Sequence, residues 1–270
     1  MNLKQWLSVA TKQLNDAGIS SARLDCLLLA GDELSHAQAW LLAHPEAELS
    51  KTQLVRLEKN IKRRAKHEPL AYIRGFTEFY GRKFLVNKAV LEPRPESETM
   101  IELLLKLDLP KSATIADIGT GSGALAITAN LELPSAEVWA TDIDPKCIKV
   151  ALQNAKLHNV KVDFYEGDLL QSFSAKSFKL SAILANLPYV PDSWQINQAA
   201  AMEPKLAIFG GKDGLALYRQ LFGQIDKLNQ KPKYILTESL PPQHGKLARI
   251  ASGSGYHQIS EEDFIQVFSR

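Results

Sequence analysis

The chain has 270 residues, enough for one large domain or two ordinary ones, and its 45% hydrophobic and 23% charged content is that of a globular protein in water. Lys and Arg number 32 against 30 Asp and Glu, which excludes the strong basic excess of a dedicated duplex-binding protein. The two cysteines, Cys26 and Cys147, lie far apart and the six histidines are scattered, so no metal site is expected and a reduced, cytoplasmic location fits.

Residues 1–18 are amphipathic and interrupted by Lys4, Lys12 and Asp16, unlike a signal peptide. No apolar run approaches the roughly 18 residues that span a bilayer, so no membrane association is expected. Residues 3–67 read as helical. Trp6, Leu7, Ala10 and Leu14 share one helix face, and Gly18 stops that helix. Ser21 stands where it would cap the next, which carries Leu24, Leu27, Leu28 and Leu29. Trp40-Leu41-Leu42 before Pro45 suggests a short element and a turn. Ser50 stands as the N-cap of a long helix to about Lys66, with Leu54, Leu57 and Ile61 inward. The cluster Lys62, Arg63, Arg64 and Lys66 at its end suits a helix C-terminus; a contact with RNA or an acidic protein is the functional alternative.

The pattern then changes. Phe76, Phe79, Tyr80, Phe84 and Val86 alternate loosely around Tyr80-Gly81-Arg82, predicting a β-hairpin. Leu91-Glu92-Pro93-Arg94-Pro95 is a proline-stiffened loop, followed by a helix over residues 96–107 with Ser97 as its expected cap. From Thr114 strands and helices alternate: strands over 114–118, 137–141, 162–165, 180–185 and 234–237, helices over 124–131, 146–158 and 214–228. That alternation predicts a mainly parallel, doubly wound sheet. Residues 257–270, with Phe264, Val267 and Phe268, would close it as an antiparallel hairpin.

Asp117-Ile118-Gly119-Thr120-Gly121-Ser122-Gly123 follows the first parallel strand and opens a helix. Its glycines allow a tight turn and close approach to a ligand, but alone they suit any nucleotide cofactor. The flanking acids narrow the choice. Asp117 before the loop suits a cationic ligand better than a pyrophosphate. Asp142 ends the next strand, where a carboxylate holds ribose hydroxyls, and Asp144 before Pro145 reads as a helix cap. At the end of the third strand Asp168 is placed to meet an adenine amine, and Leu169 to pack on its ring. The set Asp117, Gly119, Thr120, Gly121, Ser122, Gly123, Asp142, Asp168 and Leu169 therefore points to S-adenosylmethionine rather than NAD.

The fourth strand runs into Asn186-Leu187-Pro188-Tyr189. Asn186 offers an amide oxygen, the Leu187 or Pro188 carbonyl a second acceptor held by the proline, and Tyr189 a flat ring. Two acceptors and a ring grip a planar –NH2 group. Both motifs follow strands of one sheet, so a methyl sulfonium and an oriented amine nitrogen would meet on one rim.

Together these residues resemble the class I methyltransferases that act on planar amide or exocyclic amine nitrogens. Further segments resemble the HemK/PrmC family of protein-(glutamine-N5) methyltransferases: Glu68-Pro69-Leu70-Ala71-Tyr72-Ile73-Arg74-Gly75, Leu91-Glu92-Pro93-Arg94-Pro95-Glu96-Ser97-Glu98, and Glu203-Pro204 with Gly210-Gly211-Lys212-Asp213-Gly214-Leu215. The resemblance implies an α/β Rossmann-like fold with a mostly parallel seven-stranded sheet. It implies a helical N-terminal domain for substrate recognition over residues 1–73, a hairpin linker over 74–88 and a methyltransferase domain over 89–270. It implies transfer of a methyl group to the glutamine of the Gly-Gly-Gln motif in bacterial class I peptide chain release factors, by a monomer that needs no nucleic acid. Asn186, Pro188 and Tyr189 would be catalytic; Asn186 would also border the cofactor, and Leu187 and Arg94 would join the substrate site. The alternative is an adenine methyltransferase acting on ribosomal RNA or DNA, since adenine presents the same planar amine. Three positions depart from the family pattern. Leu187 replaces a proline, Glu92 replaces an apolar residue, and the stretch from Glu238 to Gln243 lacks a glycine, so those two receive no catalytic role.

Overall fold

The computed structural model describes residues 1–173 and 179–270, which form two compact units: Met1–Gly75 with Ile196–Met202, and Phe76–Gln195 with Glu203–Arg270. In the first unit α1 (Leu3–Asp16), α2 (Ala22–Leu34), α3 (Gln38–Ala43), α4 (Lys51–Arg64) and α5 (Leu70–Arg74) enclose a core of Leu3, Leu14, Cys26, Leu41, Leu57 and Ile61. Asn2 and Ser50 start α1 and α4 through reciprocal capping boxes with Gln5 and Gln53. Ser21 makes no side-chain cap, and Leu24 faces solvent. The short helix α5 lies in a stretch with no expected helix; it ends at Gly75, whose φ of 80° is the left-handed conformation that favours glycine.

Three of the four basic residues at and beyond the end of α4 have acidic partners inside this unit. Arg63 forms a two-pronged bond to Glu68, Arg64 reaches the buried Asp25 at 2.6 Å, and Lys62 pairs with Glu58 one turn back. These partners give the charges structural work.

The second unit opens with the expected hairpin, β1 (Phe76–Phe79) and β2 (Arg82–Leu85). Tyr80 and Gly81, at φ 51° and 67°, make its two-residue turn with positive φ at both positions. Then follow α6 (Glu98–Leu105), β3 (Thr114–Ile118), α7 (Ala124–Glu132), β4 (Glu137–Asp142), α8 (Pro145–His158), β5 (Asp163–Glu166), β6 (Ala182–Ala185), α9 (Ala216–Ile225), β7 (Tyr234–Glu238), α10 (His244–Gly253), β8 (His257–Glu262) and β9 (Ile265–Ser269). The sheet order is β5-β4-β3-β6-β7-β9-β8, parallel through β7 and antiparallel at β9 and β8. Asp144 caps α8 ahead of Pro145 as expected, whereas α10 was not foreseen.

Period-two alternation divides the core between the two sheet faces. Ile115, Ala182, Leu184 and Leu236 join residues of α6, α7 and α8 on one side. Ala116, Ile118, Ile183, Ala185 and Ile235 join α9 and α10 on the other. From β3 the chain winds outward to β4 and β5, then returns across β3 to β6. The crevice of such a fold opens where those two directions part, at the carboxyl ends of β3 and β6.

Candidate active site

The loop after β3 is shaped by glycine. Gly119, Gly121 and Gly123 have φ of 75°, 55° and 82°. A Cβ on Gly121 would meet no atom within 4 Å, so the space beside the loop is open. Gly119 and Thr120 both donate their N–H to the Thr141 carbonyl at 2.9 Å, which hangs the loop on β4. Asp117 is 1% exposed. Its Oδ2 accepts from the Thr120 hydroxyl at 2.6 Å and from Ala126 N at 3.2 Å. Its Oδ1 is buried and, among the described residues, has no partner. Burial pushes the carboxyl up to about 7, against the pull of Thr120 and the Ala126 N–H, and nearby Asp142 adds to the rise. An unmatched buried acceptor suits an ammonium ligand and opposes a pyrophosphate.

Asp142 ends β4 with each oxygen fixed by a backbone N–H: Oδ2 by Gly121 and Oδ1 by Asp144, both at 2.9 Å. Each oxygen keeps a lone pair for a hydroxyl. After β5, Asp168 Oδ2 accepts from Gln220 at 2.6 Å and Gln171 at 3.2 Å. Leu169 has a φ of 55°, unusual for a branched side chain, and its carbonyl takes the Thr141 hydroxyl at 2.9 Å. The open loop, the unpaired carboxylate oxygen and the two anchored acids fit S-adenosylmethionine as a group with one cationic end and a ribose.

β6 delivers the second motif to the same rim, because Ala185 is the register partner of Ile118. Leu187 joins the two motifs. Its Cδ2 lies 3.0 Å from where a Gly119 Cβ would sit, and its N–H donates to the Tyr218 hydroxyl at 3.3 Å, a bond proline cannot make. The single Tyr218 O–H donates toward the Glu238 carbonyl, with the Ala185 carbonyl also in reach at 3.1 Å. The hydrogen bond and the packing do the stiffening that a proline would otherwise supply.

The Gly-rich block after Glu203 is a backbone cradle for the motif. A Cβ on Gly210 would overlap the Pro188 carbonyl oxygen, and one on Gly214 the Tyr189 carbonyl oxygen. Gln243 holds this arrangement, donating to the Tyr189 carbonyl at 2.7 Å and the Asp213 carbonyl at 2.9 Å, while its Oε1 accepts from Leu240 N.

Glu238, at the end of β7, is 1% exposed and receives two hydroxyls: Ser97 on Oε2 at 2.6 Å and Tyr189 on Oε1 at 3.1 Å. Asn186 Nδ2 donates to Ser97 Oγ at 2.9 Å. Burial raises the Glu238 carboxyl, and the Ser97 and Tyr189 hydroxyls hold it back. Burial and then the Glu238 charge raise the Tyr189 phenol, so it stays protonated. Among the described residues no donor is found on Asn186 Oδ1 or the Pro188 carbonyl oxygen. Two unused acceptors thus stand beside a neutral, anchored phenol.

Glu238 and Gln243, given no catalytic role from the sequence, hydrogen-bond to Tyr189 through its hydroxyl and its carbonyl, and Ser97, expected as a helix cap, bonds to Glu238. No side-chain cap is made at Ser97: its hydroxyl donates to Glu238, and its oxygen accepts from Asn186 Nδ2 instead of a backbone N–H. The available signal was an acid at the end of a strand on the ligand rim. Arg94, expected among the substrate residues, is engaged by Glu203 and lies 3.7 Å from Glu92. Glu203 also accepts the Glu92 N–H at 3.1 Å, and Glu92 takes the Thr77 hydroxyl, so the polar residue at 92 ties the loop down.

Residues 5–75 match the PrmC N-terminal domain family and residues 97–203 the methyltransferase small domain family. A release factor glutamine methyltransferase of Coxiella burnetii is 35% identical over all of this chain and 94% of its own length. One of Moorella thermoacetica is 40% identical over 82% of this chain and 79% of its own. In structure, a methyltransferase from Pyrococcus furiosus superposes with a TM-score of 0.51 at 17% identity, covering 81% of this chain and 97% of that one, which is a likeness of fold. No helix among the described residues is long and apolar enough to cross a membrane.

Proposed function

The chain belongs to the release factor glutamine methyltransferase family, and from that premise we infer that it methylates the side-chain amide nitrogen of the Gly-Gly-Gln glutamine in peptide chain release factors. The observation that carries the reading is the pair of unused acceptors, Asn186 Oδ1 and the Pro188 carbonyl, just past the end of the strand beside the one that leads into the glycine loop. S-adenosylmethionine supplies an electrophilic methyl group on a sulfonium. Asp117 would face its cationic end, Asp142 its ribose hydroxyls, and Asp168 and Leu169 its adenine, with the Gly119-to-Gly123 turn leaving room for it.

A carboxamide nitrogen is a weak nucleophile because its lone pair is delocalised into the carbonyl. Accepting both amide protons holds the group in one orientation, and the Tyr189 ring packs against its plane. Such positioning is worth several kcal/mol, on the order of 7 when alignment is good. Because the transferred methyl starts on a sulfonium, which would become a neutral thioether as the charge passes to the nitrogen, no strong base is required before attack. The nitrogen sheds its proton afterwards. The helical unit and the hairpin supply contacts to the substrate protein, and the enzyme works as a monomer without nucleic acid.

Incubated with radiolabelled S-adenosylmethionine, the protein should transfer label to release factor, and mass spectrometry should place it on the Gly-Gly-Gln glutamine. Label on ribosomal RNA with none on release factor would instead establish the adenine reading.

Cofactor affinity should depend on pH through Asp117. The carboxylate is the form that attracts a cation, and with its ionisation at about 7 the acid form dominates below that pH. Calorimetric titration is expected to show S-adenosylmethionine binding weaken about fivefold from pH 7 to pH 6, as deprotonation becomes part of binding. Asp117→Asn should bind weakly at both values and lose the dependence.

A further inference from the structure

On the reading that the site methylates a carboxamide, we propose that Glu238 is a positioning residue that sets the hydrogen-bond polarity of both clamp side chains, through Ser97 for Asn186 and directly for Tyr189.

Asn186 serves the clamp in only one of its two amide orientations. With Oδ1 in the cleft it accepts a substrate N–H; turned by half a revolution it would present its own NH2 and repel that group. Nothing in the local chain distinguishes the two orientations, which have nearly the same shape. Ser97 makes the choice. Its one O–H donates to Glu238 Oε2 at 2.6 Å, so at its other contact Oγ can only accept. The Asn186 atom facing it at 2.9 Å must then be Nδ2, which leaves Oδ1 for the substrate. In its carboxylate form Glu238 accepts and never donates, and the polarity of the chain from Glu238 through Ser97 to Asn186 is then single-valued. The other oxygen of Glu238 orders the Tyr189 hydroxyl in the same way at 3.1 Å, anchoring the ring. Glu238 is itself held, since β7 pairs with β6 through Ala185 and Thr237 and the Tyr218 hydroxyl donates to the Glu238 carbonyl.

Glu238→Gln tests this. It keeps shape and volume but turns one acceptor into a donor. Either Ser97 then points its proton at Asn186 and the amide reverses, or Tyr189 loses its acceptor. The expected result is a kcat for release factor methylation about 100-fold below wild type, the scale of losing one preorganised transition-state hydrogen bond. KM for release factor, calorimetric affinity for S-adenosylmethionine and melting temperature should all stay near wild type. Ser97→Ala removes the constraint without imposing the reverse one and should lose about tenfold; Ser97→Thr, which restores the hydroxyl, should recover most of that loss. The double variant Glu238→Gln/Ser97→Ala should be no slower than Glu238→Gln, because both changes act on one clamp.

A Glu238→Gln kcat within threefold of wild type, losses that multiply in the double variant, or a defect seated in cofactor affinity or melting temperature would each overturn the proposal. Should Glu238→Gln fail to fold, the Ser97 pair decides: equal rates for Ala and Thr would overturn it. The wild-type enzyme in the same assay keeps the two readings apart. Wild type inactive on release factor refutes the substrate assignment, whereas an active wild type with an equally active Glu238→Gln refutes only the positioning role.

Discussion

Asn186→Ala is expected to lower methyl transfer to release factor by about 1,000-fold while leaving S-adenosylmethionine affinity nearly unchanged. The variant deletes one of two unused acceptors at the rim shared by β3 and β6. A target amide gripped only by the Pro188 carbonyl can rotate about that bond, so both alignment and the withdrawal of its protons are lost. Removing a preorganised hydrogen-bonding group from a transition state costs about 10²–10³ in rate, near 2.7–4 kcal/mol, and the added rotational freedom sets the expectation at the upper end. Asn186 is half-buried and donates to Ser97, which keeps Glu238 as partner, so the fold should survive. Single-turnover kinetics with labelled cofactor, alongside calorimetric binding, measures both quantities. A rate within tenfold of wild type would remove Asn186 from the clamp.

Gly210→Ala should lower kcat by about 100-fold through geometry alone. The new Cβ would overlap the Pro188 carbonyl oxygen and lie 2.5 Å from the Gly214 carbonyl oxygen, and both obstacles are backbone. The Pro188 carbonyl must move, and displacing a reacting group by about 1 Å costs on the order of 10²-fold. Gly210 does not have the left-handed φ of Gly214, so the effect is a collision and not backbone strain. A matched control exists in α9, where a Cβ on Gly223 would meet nothing within 4 Å. Gly223→Ala should leave the rate unchanged and stabilise the helix by roughly 0.5–1 kcal/mol. Turnover and thermal melts of the two variants check the contrast; equal activity would show that the cradle does not position the carbonyl.

The parts of the site that could be read from the chain are contiguous. The run from Asp117 to Gly123 and the four residues from Asn186 to Tyr189 each carry their chemistry within a few positions, where glycine spacing, a proline and a strand-terminal acid have local meanings. The alternation of strands and helices then placed both on one rim, since parallel strands with crossover helices end on the same side. Even Leu187, which departs from the family pattern, marked its own position as one to examine. The basic end of α4 shows the limit of local reading. Its charges look free in sequence, yet the partner of Arg64 is Asp25 on another helix.

What the amino-acid order determined by itself was therefore the fold class, the kind of cofactor and the stretch from Asn186 to Tyr189 that is proposed as the clamp. Only the tertiary structure decided which distant groups hold that stretch. Ser97 reads locally as a helix cap, and Glu238 and Gln243 as remnants of an altered motif. Their bonds join residues 141, 89 and 54 positions apart, brought together by β7 pairing with β6 and by the proline-rich loop tied down through Glu203. A hydrogen bond needs its partners within about 3 Å and correctly directed. Between distant segments that condition is met by how the sheet assembles, and no local spacing records it.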